Sequence, residues 1–245
     1  KDKISLFWNG LCPPLFIMGL LVGMVLLQPD FGTMVLMSAV SILMLFVGGA
    51  LLRYLGALFI AVLPALYLAV WNVPYRRQRV MTFLDPWNDP GGSGYQVIQS
   101  LVALGSGGLF GVGLGQSRQK LFYLPEAHTD FIFSIIGEEI GLIGSLSIIV
   151  IFLYLFWNGL MIVWNTKDPF GYYLGLGIVS LICLQTFIHI GVVTNSLPPK
   201  GIPLPFISFG GSSLVINMIS MGILISIGKH QPGYPSKRRR KLSTF

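Results

Sequence analysis

Six stretches of this chain each run for at least 22 residues without a charged side chain. They lie between Lys3 and Asp30, Asp30 and Arg53, Arg53 and Arg76, Glu139 and Lys167, Asp168 and Lys200, and Lys200 and Lys229. A membrane-spanning helix needs about 20 apolar residues, so each gap can hold one. Composition removes the alternatives. Hydrophobic residues make up 53% of the chain and charged residues 10%, against about 25% charged in a soluble domain. Too few polar side chains remain to cover a globule in water. Disorder needs the opposite balance, low hydrophobicity and high charge. Cys12 and Cys183 fall inside apolar runs and the three histidines are scattered, so neither a disulfide framework nor a His/Cys metal cluster is expected. The sequence opens on Lys1 without a signal-peptide pattern, and we expect it to be part of a longer protein.

The expected fold is an all-α integral membrane bundle forming a single transmembrane domain. About six spans are placed at residues 11–27, 33–52, 54–73, 129–164, 170–194 and 205–228. The fourth is long enough to protrude or tilt. Residues 74–128 form a large external or re-entrant loop. Its stretch from Pro90 to Ser117 is also uncharged, but its nine glycines make a poor spanning helix. Tyr95–Leu104 reads as a short amphipathic helix and Gly105–Gly115 as a glycine-rich loop. Loops of this size usually carry a function. Six spans put both termini on one side. That side holds ten Lys and Arg, including the tail Lys237–Lys241 within residues 229–245, against six on the other. The excess predicts cytoplasmic termini. Five outward basic residues in the long loop, Arg76, Arg77, Arg79, Arg118 and Lys120, run against that trend, and an anionic ligand would account for them. Tryptophans near span ends, among them Trp8, Trp71, Trp157 and Trp164, read as an interfacial belt.

The acidic entrance to the fourth span, Tyr123-Leu-Pro-Glu-Ala-His-Thr-Asp130, is the first candidate for chemistry. Pro125 stops any helix upstream. Thr129 is expected to cap the span and set Asp130 at its first position. An acidic residue there is more often structural, because it complements the helix dipole. Here Glu126 and His128 flank it and Phe131, Ile132 and Phe133 follow at once. The carboxylate therefore sits where water meets lipid, and could take a proton from a sugar hydroxyl. Glu138-Glu139 follows two turns on. Intramembrane carboxylates are functional or paired by default. Glu138 is the better candidate to share a face with Asp130. Gly137, Gly141 and Gly144 also offer a close-packing helix face, so a structural role for the pair stands level with a chemical one.

Two basic segments, Pro74-Tyr-Arg-Arg-Gln-Arg79 and Gly115-Gln-Ser-Arg-Gln-Lys120, combine Arg and Lys with glycine-rich backbone. That combination suits a phosphate or pyrophosphate; a rim touching lipid headgroups is the plainer alternative. The P-loop spacing is absent. Leu197–Ser213, with its prolines and glycines, cannot be a regular helix. Non-helical backbone at that depth must be buried in protein or line a cavity, and Lys200 is its single charge. Asp30, in Gln28-Pro-Asp-Phe-Gly-Thr33, reads as a turn residue that caps the next helix. The basic tail reads as a topology determinant touching anionic lipid, with no nucleic-acid role.

Several of these segments together resemble one family. They are Gln28–Thr33, Phe83-Leu-Asp-Pro-Trp87, Gly94-Tyr-Gln, Gly105–Ser117, Leu124-Pro-Glu-Ala-His-Thr-Asp-Phe-Ile-Phe133, Glu138-Glu139 and Pro203-Leu-Pro-Phe-Ile-Ser-Phe-Gly-Gly-Ser-Ser213. They resemble the SEDS polytopic membrane proteins, the group of FtsW, RodA and SpoVE. Leu-Asp-Pro-Trp, Gly-Gln-Ser-Arg-Gln-Lys and Pro-Pro-Lys-Gly look like the division branch, FtsW. The resemblance implies an inverting peptidoglycan glycosyltransferase of the bacterial cytoplasmic membrane. It would polymerise lipid II, a disaccharide-peptide on undecaprenyl pyrophosphate, at the outer face and at the division septum. Its implied partners are a class B penicillin-binding protein transpeptidase and other division proteins. The family's essential loop aspartate falls on Asp130 and its conserved lysine on Lys200. One departure stands out: the family has ten spans, and these six look like its last six. Its Pro-Ser-Glu-x-x-Lys motif on an earlier helix is absent here, so the chain by itself is expected to lack groups needed for activity.

The expected site is Asp130 as catalytic base, with Glu126, Lys120, Lys200, Arg79, Gln116, Ser117 and Glu138 around the substrate. Charge for the leaving pyrophosphate would come from the basic residues or from a divalent cation such as Mg2+ or Mn2+; no protein-held metal site is expected. Two other functions compete. A lipid II flippase would use the same basic cavity but needs polar groups on both sides of the membrane, and here they gather on the outer side. A non-catalytic division scaffold explains the long loop but not its acidic end.

Overall fold

The computed structural model describes residues 11–28 and 30–230, and all regular structure among them is helical. Lys1, Lys3, Trp8, Pro29 and the tail from Gln231 on, with Lys237–Lys241, lie outside the described residues. The helices are α1 (Cys12–Leu27), α2 (Phe31–Gly48), α3 (Leu52–Trp71), α4 (Pro74–Leu84), α5 (Tyr95–Ser106), α6 (Ile132–Asn165), α7 (Pro169–Val193) and α8 (Gly211–Lys229). Five of them, α2, α3, α6, α7 and α8, are long and apolar enough to cross a membrane, whereas α1 has 16 residues. Each expected span thus meets a helix. Asp30 caps α2, accepting from the Thr33 amide at 3.0 Å and from its hydroxyl. Asp168 caps α7 through the Gly171 amide at 2.7 Å.

Four expectations need correction. The sixth span starts at Gly211 rather than residue 205, because Pro203, Pro205 and a Phe206 with φ 65° hold the intervening chain out of helix. The fourth starts at Ile132, with Phe131 as its N-cap; Thr129 does not cap it, and Asp130 lies in the preceding turn. The segment 74–128 is less loop than expected: α4 occupies its start and a short 3-10 turn covers Pro86–Asn88, while α5 meets the helix expected at Tyr95–Leu104. The fourth span is also not one helix. Gly141 has φ 72° and ψ −168° and breaks α6 in two.

The break is filled by the glycine-rich segment. In an unbroken helix the Leu142 and Ile143 amides would donate to the carbonyls of Glu138 and Glu139. Instead they donate to the Gly108 and Leu109 carbonyls at 2.9 and 3.2 Å. The Glu138 and Glu139 carbonyls accept from Val112 and Gly113 at 2.9 and 3.1 Å. These four groups freed by the break find partners in the loop, which is how non-helical backbone survives at this depth. The approach leaves no room for side chains: a β-carbon on Gly111 would meet the Glu139 carbonyl, and one on Gly141 the Gly111 amide. The small face at Gly137 and Gly141 therefore packs against this loop and α5, not against another spanning helix.

Two apolar clusters organise the rest. Val163, Leu176, Ile178, Val179, Ile182 and Leu224 join α6, α7 and α8. Phe133, Ile135, Val192, Val193 and Leu204 form the second, and Leu124, Ala127 and Phe131 plug into it. Leu124 and Ala127 of the acidic entrance, and Phe131 just after it, are thereby anchored in the core while Glu126 and His128 stay exposed. α5 buries Val97, Ile98 and Ala103. Its Ser100 hydroxyl lies 2.6 Å from that of Ser134 and donates to the Val193 carbonyl at 2.9 Å, tying α5, α6 and α7 together.

Candidate functional site

Asp130 is presented by a turn that one residue bends. Glu126 adopts φ 54°, and its carbonyl accepts from the amides of Thr129, Asp130 and Phe131 at 3.1, 3.1 and 3.3 Å. Its carboxylate takes the Thr129 hydroxyl at 2.8 Å. The link between α7 and α8 clips this turn from the other side. Ser208 Oγ accepts from the Leu204 amide and donates to the Thr129 carbonyl, both at 2.7 Å. The Phe209 amide donates to the His128 carbonyl at 2.9 Å. The buried His189 ring holds the same link through the Ile202 carbonyl, with Nδ1 at 2.9 Å. At the near end Gly201 lies so close that a β-carbon there would sit 2.7 Å from Asp130 Oδ2.

A cleft of about 460 Å³ opens over this carboxylate, with Arg79, Lys200, Tyr75, Gln78, Thr82, Tyr95 and Gln96 among its walls. Arg79 bridges α4 to the α7–α8 link, donating to the Pro199 carbonyl at 3.1 Å and lying 4.4 Å from the Tyr75 ring centroid. Lys200 Nζ sits 4.3 Å from the centre of the Phe31 ring. A second cleft of about 510 Å³ shares Tyr75, Arg79, Pro199, Lys200 and Gly201 with the first and continues along Phe31, Val35, Val70 and Val80. The two cations therefore stand on a wall common to a polar cleft and a more apolar one. Burial raises the Asp130 carboxyl above its usual range, Glu126 adds to the rise, and Arg79 opposes it. Burial also lowers the Lys200 ammonium to about 8, helped by Arg79 and opposed by Asp30.

Asp130, Arg79 and Lys200 are thus brought together, with Glu126 close enough to act on Asp130 electrostatically. Glu138, Ser117, Lys120 and Gln116, expected at the substrate, do not line this cleft. Buried Glu138 accepts from the Ser117 hydroxyl, from the Arg118 amide at 3.0 Å and from the Gln119 amide at 3.4 Å. Lys120 Nζ is paired with Glu139 Oε1 at 2.7 Å. These groups brace the loop against α6, because a carboxylate buried away from water must find donors. Gln116 is exposed beside Gly113. Among the described residues no three His, Cys, Asp or Glu form a metal-binding group. Asp130 is the one carboxylate lining the polar cleft, and beside two cations it forms no all-protein cage for a dication.

The sequence reading gave no site role to Thr82, Tyr95, Gln96, Gly201 or Ser208, although all but Thr82 lie in segments that carry the resemblance. Tyr75, Gln78, Arg79 and Thr82 have i, i+3, i+4, i+7 spacing and would have formed one polar stripe had residues 74–84 been read as helix.

The profile of the cell cycle protein family FtsW/RodA/SpoVE matches residues 1–232. The chain belongs to that family. It is 46% identical over 235 residues to a protein of Geobacter metallireducens named as a probable peptidoglycan glycosyltransferase FtsW, covering 96% of this chain and 63% of that one. Stage V sporulation protein E of Bacillus subtilis is 45% identical over 230 residues, covering 94% of this chain and 63% of its own length. This FtsW/RodA/SpoVE chain thus spans less than two thirds of these relatives. Among solved structures it superimposes with a TM-score of 0.74 and 25% identity on a chain from a peptidoglycan synthase complex described as coordinating polymerization and crosslinking. That match covers 93% of this chain and 63% of the other. A RodA D255A mutant from Thermus thermophilus superimposes at TM-score 0.59 with 22% identity over 90% of this chain and 57% of that one, and shares the fold.

Proposed function

We propose that the protein of which this chain is part is a peptidoglycan glycosyltransferase that polymerises lipid II at the outer face of the bacterial cytoplasmic membrane during division. The observation that carries this reading is Asp130 beside Arg79 and Lys200 in one cleft. The lipid-linked donor bears an α-linked pyrophosphate on MurNAc C1, and the product bond is β-1,4, so one direct displacement inverts that centre. The acceptor GlcNAc 4-hydroxyl attacks C1 and passes its proton to the Asp130 carboxylate. The C1–O bond to the pyrophosphate breaks, and its electron pair leaves with undecaprenyl pyrophosphate. A carboxylate raised by burial is the stronger base. Arg79 and Lys200 meet the charge that develops on the leaving group. Arg79 and Lys200 carry this role, with no step routed through Mg2+ or Mn2+. The shared cationic wall supports a pyrophosphate at the junction, with its polyprenyl chain in the apolar cleft and its sugar in the polar one. A class B penicillin-binding protein is the partner this reading requires for crosslinking, in keeping with the synthase complex above. Cytoplasmic termini and a septal location belong to the same reading.

Transport of lipid II is the competing function. The basic cleft residues gather at the Asp130 end of the bundle, and a mid-membrane anion path would need matching polar groups along its length. The test is a proteoliposome assay of full-length protein and partner, with lipid II confined to the leaflet facing the long loop. Polymer made there and lost in Asp130→Asn supports the transferase. Leaflet exchange that survives Asp130→Asn without any polymer assigns the protein to transport.

A further inference from the structure

The two clefts divide the α4 stripe unequally. Tyr75 and Arg79 serve both, whereas Gln78 and Thr82 line the polar cleft alone. Ser93, Tyr95 and Gln96, around the first turn of α5, line the same cleft. This part of the wall holds hydroxyls, amides and an aromatic ring, with no charge. Thr82 is only 4% exposed, yet its Oγ1 has no protein partner. A buried hydroxyl left unpaired costs roughly 1–3 kcal/mol, so a hydrogen-bonding ligand in the cleft is favoured at this point.

We infer that the Gln78–Thr82–Gln96 wall is the subsite for the neutral acceptor sugar, with Thr82 Oγ1 hydrogen-bonded to one of its hydroxyl or N-acetyl groups. The inference rests on reading the cleft as a glycosyl-transfer site. Its chemistry follows from inversion: the nucleophile must approach C1 from the side opposite the leaving group. With the diphosphate held by Arg79 and Lys200 where the two clefts meet, the acceptor takes the remaining, uncharged part of the polar cleft, which Asp130 also lines. Neutral donors and acceptors beside an aromatic ring suit a pyranose and offer an anion no positive charge.

The experiment uses the full-length protein with its partner and two probes, the soluble GlcNAc–MurNAc disaccharide and undecaprenyl pyrophosphate. Thr82→Val keeps the side-chain shape and removes the hydroxyl. It should weaken disaccharide binding roughly three- to tenfold, the worth of one neutral hydrogen bond, and raise KM for lipid II more than it lowers kcat. Affinity for undecaprenyl pyrophosphate should not change, and Thr82→Ser should restore the wild-type values. Unchanged disaccharide affinity in Thr82→Val, an equal loss for both probes, or no disaccharide binding by the wild type would each overturn the subsite. None of these bears on the reaction itself, which fails separately if Asp130→Asn still makes polymer.

Discussion

At the scale of single residues, the site is a carboxylate held up and a lysine held down. Asp130 must be ionised to take a proton, so activity should rise as pH climbs through its raised pKa. Lys200 must be cationic to meet the leaving group, so activity should fall as pH passes about 8. Lys200→Arg keeps the charge to much higher pH, and the falling limb of kcat/KM against pH should move upward. A limb that stays in place in this variant assigns it to another group. Asp130→Asn should abolish polymerisation with little change in the melting temperature, because the polypeptide hydrogen bonds of its turn run through the backbone of residues 126–131. Ser208 acts through others, by joining the Leu204 amide to the Thr129 carbonyl. Ser208→Ala should lower kcat roughly ten- to a hundredfold, as sub-ångström displacement of a base does, while Ser208→Thr largely restores it. Equal losses in the two variants would count against a positioning role. In the sequence Asp130 stands out as a charge at a lipid boundary. Ser208 does so only as a member of the Pro203–Ser213 motif, because a hydroxyl in a Pro/Gly-rich link carries its role in what it touches.

At the scale of elements, charge-free gaps located the helices well, and their starts less so. Thr129 and Pro205 each looked like a helix entrance. The first is drawn back toward Glu126, and the second sits in a link whose backbone serves Asp130. The glycine density of residues 105–115 correctly argued against a spanning helix, but its partner, the break at Gly141, was hidden. Backbone pairing leaves no side-chain pattern, only glycines at both faces, and Gly137 and Gly141 look the same as a helix-packing motif. Gly141→Ala should test the interlock. Its φ and ψ suit glycine alone, and a β-carbon would strike the loop. We expect a loss of about 2–3 kcal/mol, read as a lower melting temperature in detergent. Glu138→Ala strands the Ser117 hydroxyl and two amides, and should cost about 3 kcal/mol or more. Residues 105–123 should then become newly sensitive to protease.

At the scale of the whole molecule, the bundle offers lipid a wide apolar surface, with exposed tryptophans toward its ends. Trp71 closes α3 on the side of the long loop, and Trp164 closes α6 at the other. In variants of the full-length protein that keep only one of these two, brominated lipids should quench most strongly when the bromine is near the headgroup. Stronger quenching from mid-chain bromine would shift the bilayer on the bundle and separate the cleft from its outer face. The stitched break in α6 has a consequence for biogenesis. The chain from Leu142 to Asn165 is long enough to cross a bilayer unaided, while Ile132–Ile140 carries Glu138 and Glu139. The ribosome delivers the glycine-rich segment before the carbonyls it will serve, so neither half is satisfied until both have left the translocon. Closure of the stitch is therefore a post-insertion event, closing a ring of about thirty residues at the membrane surface, and slow closure would leave a fully inserted protein whose loop is still unpaired.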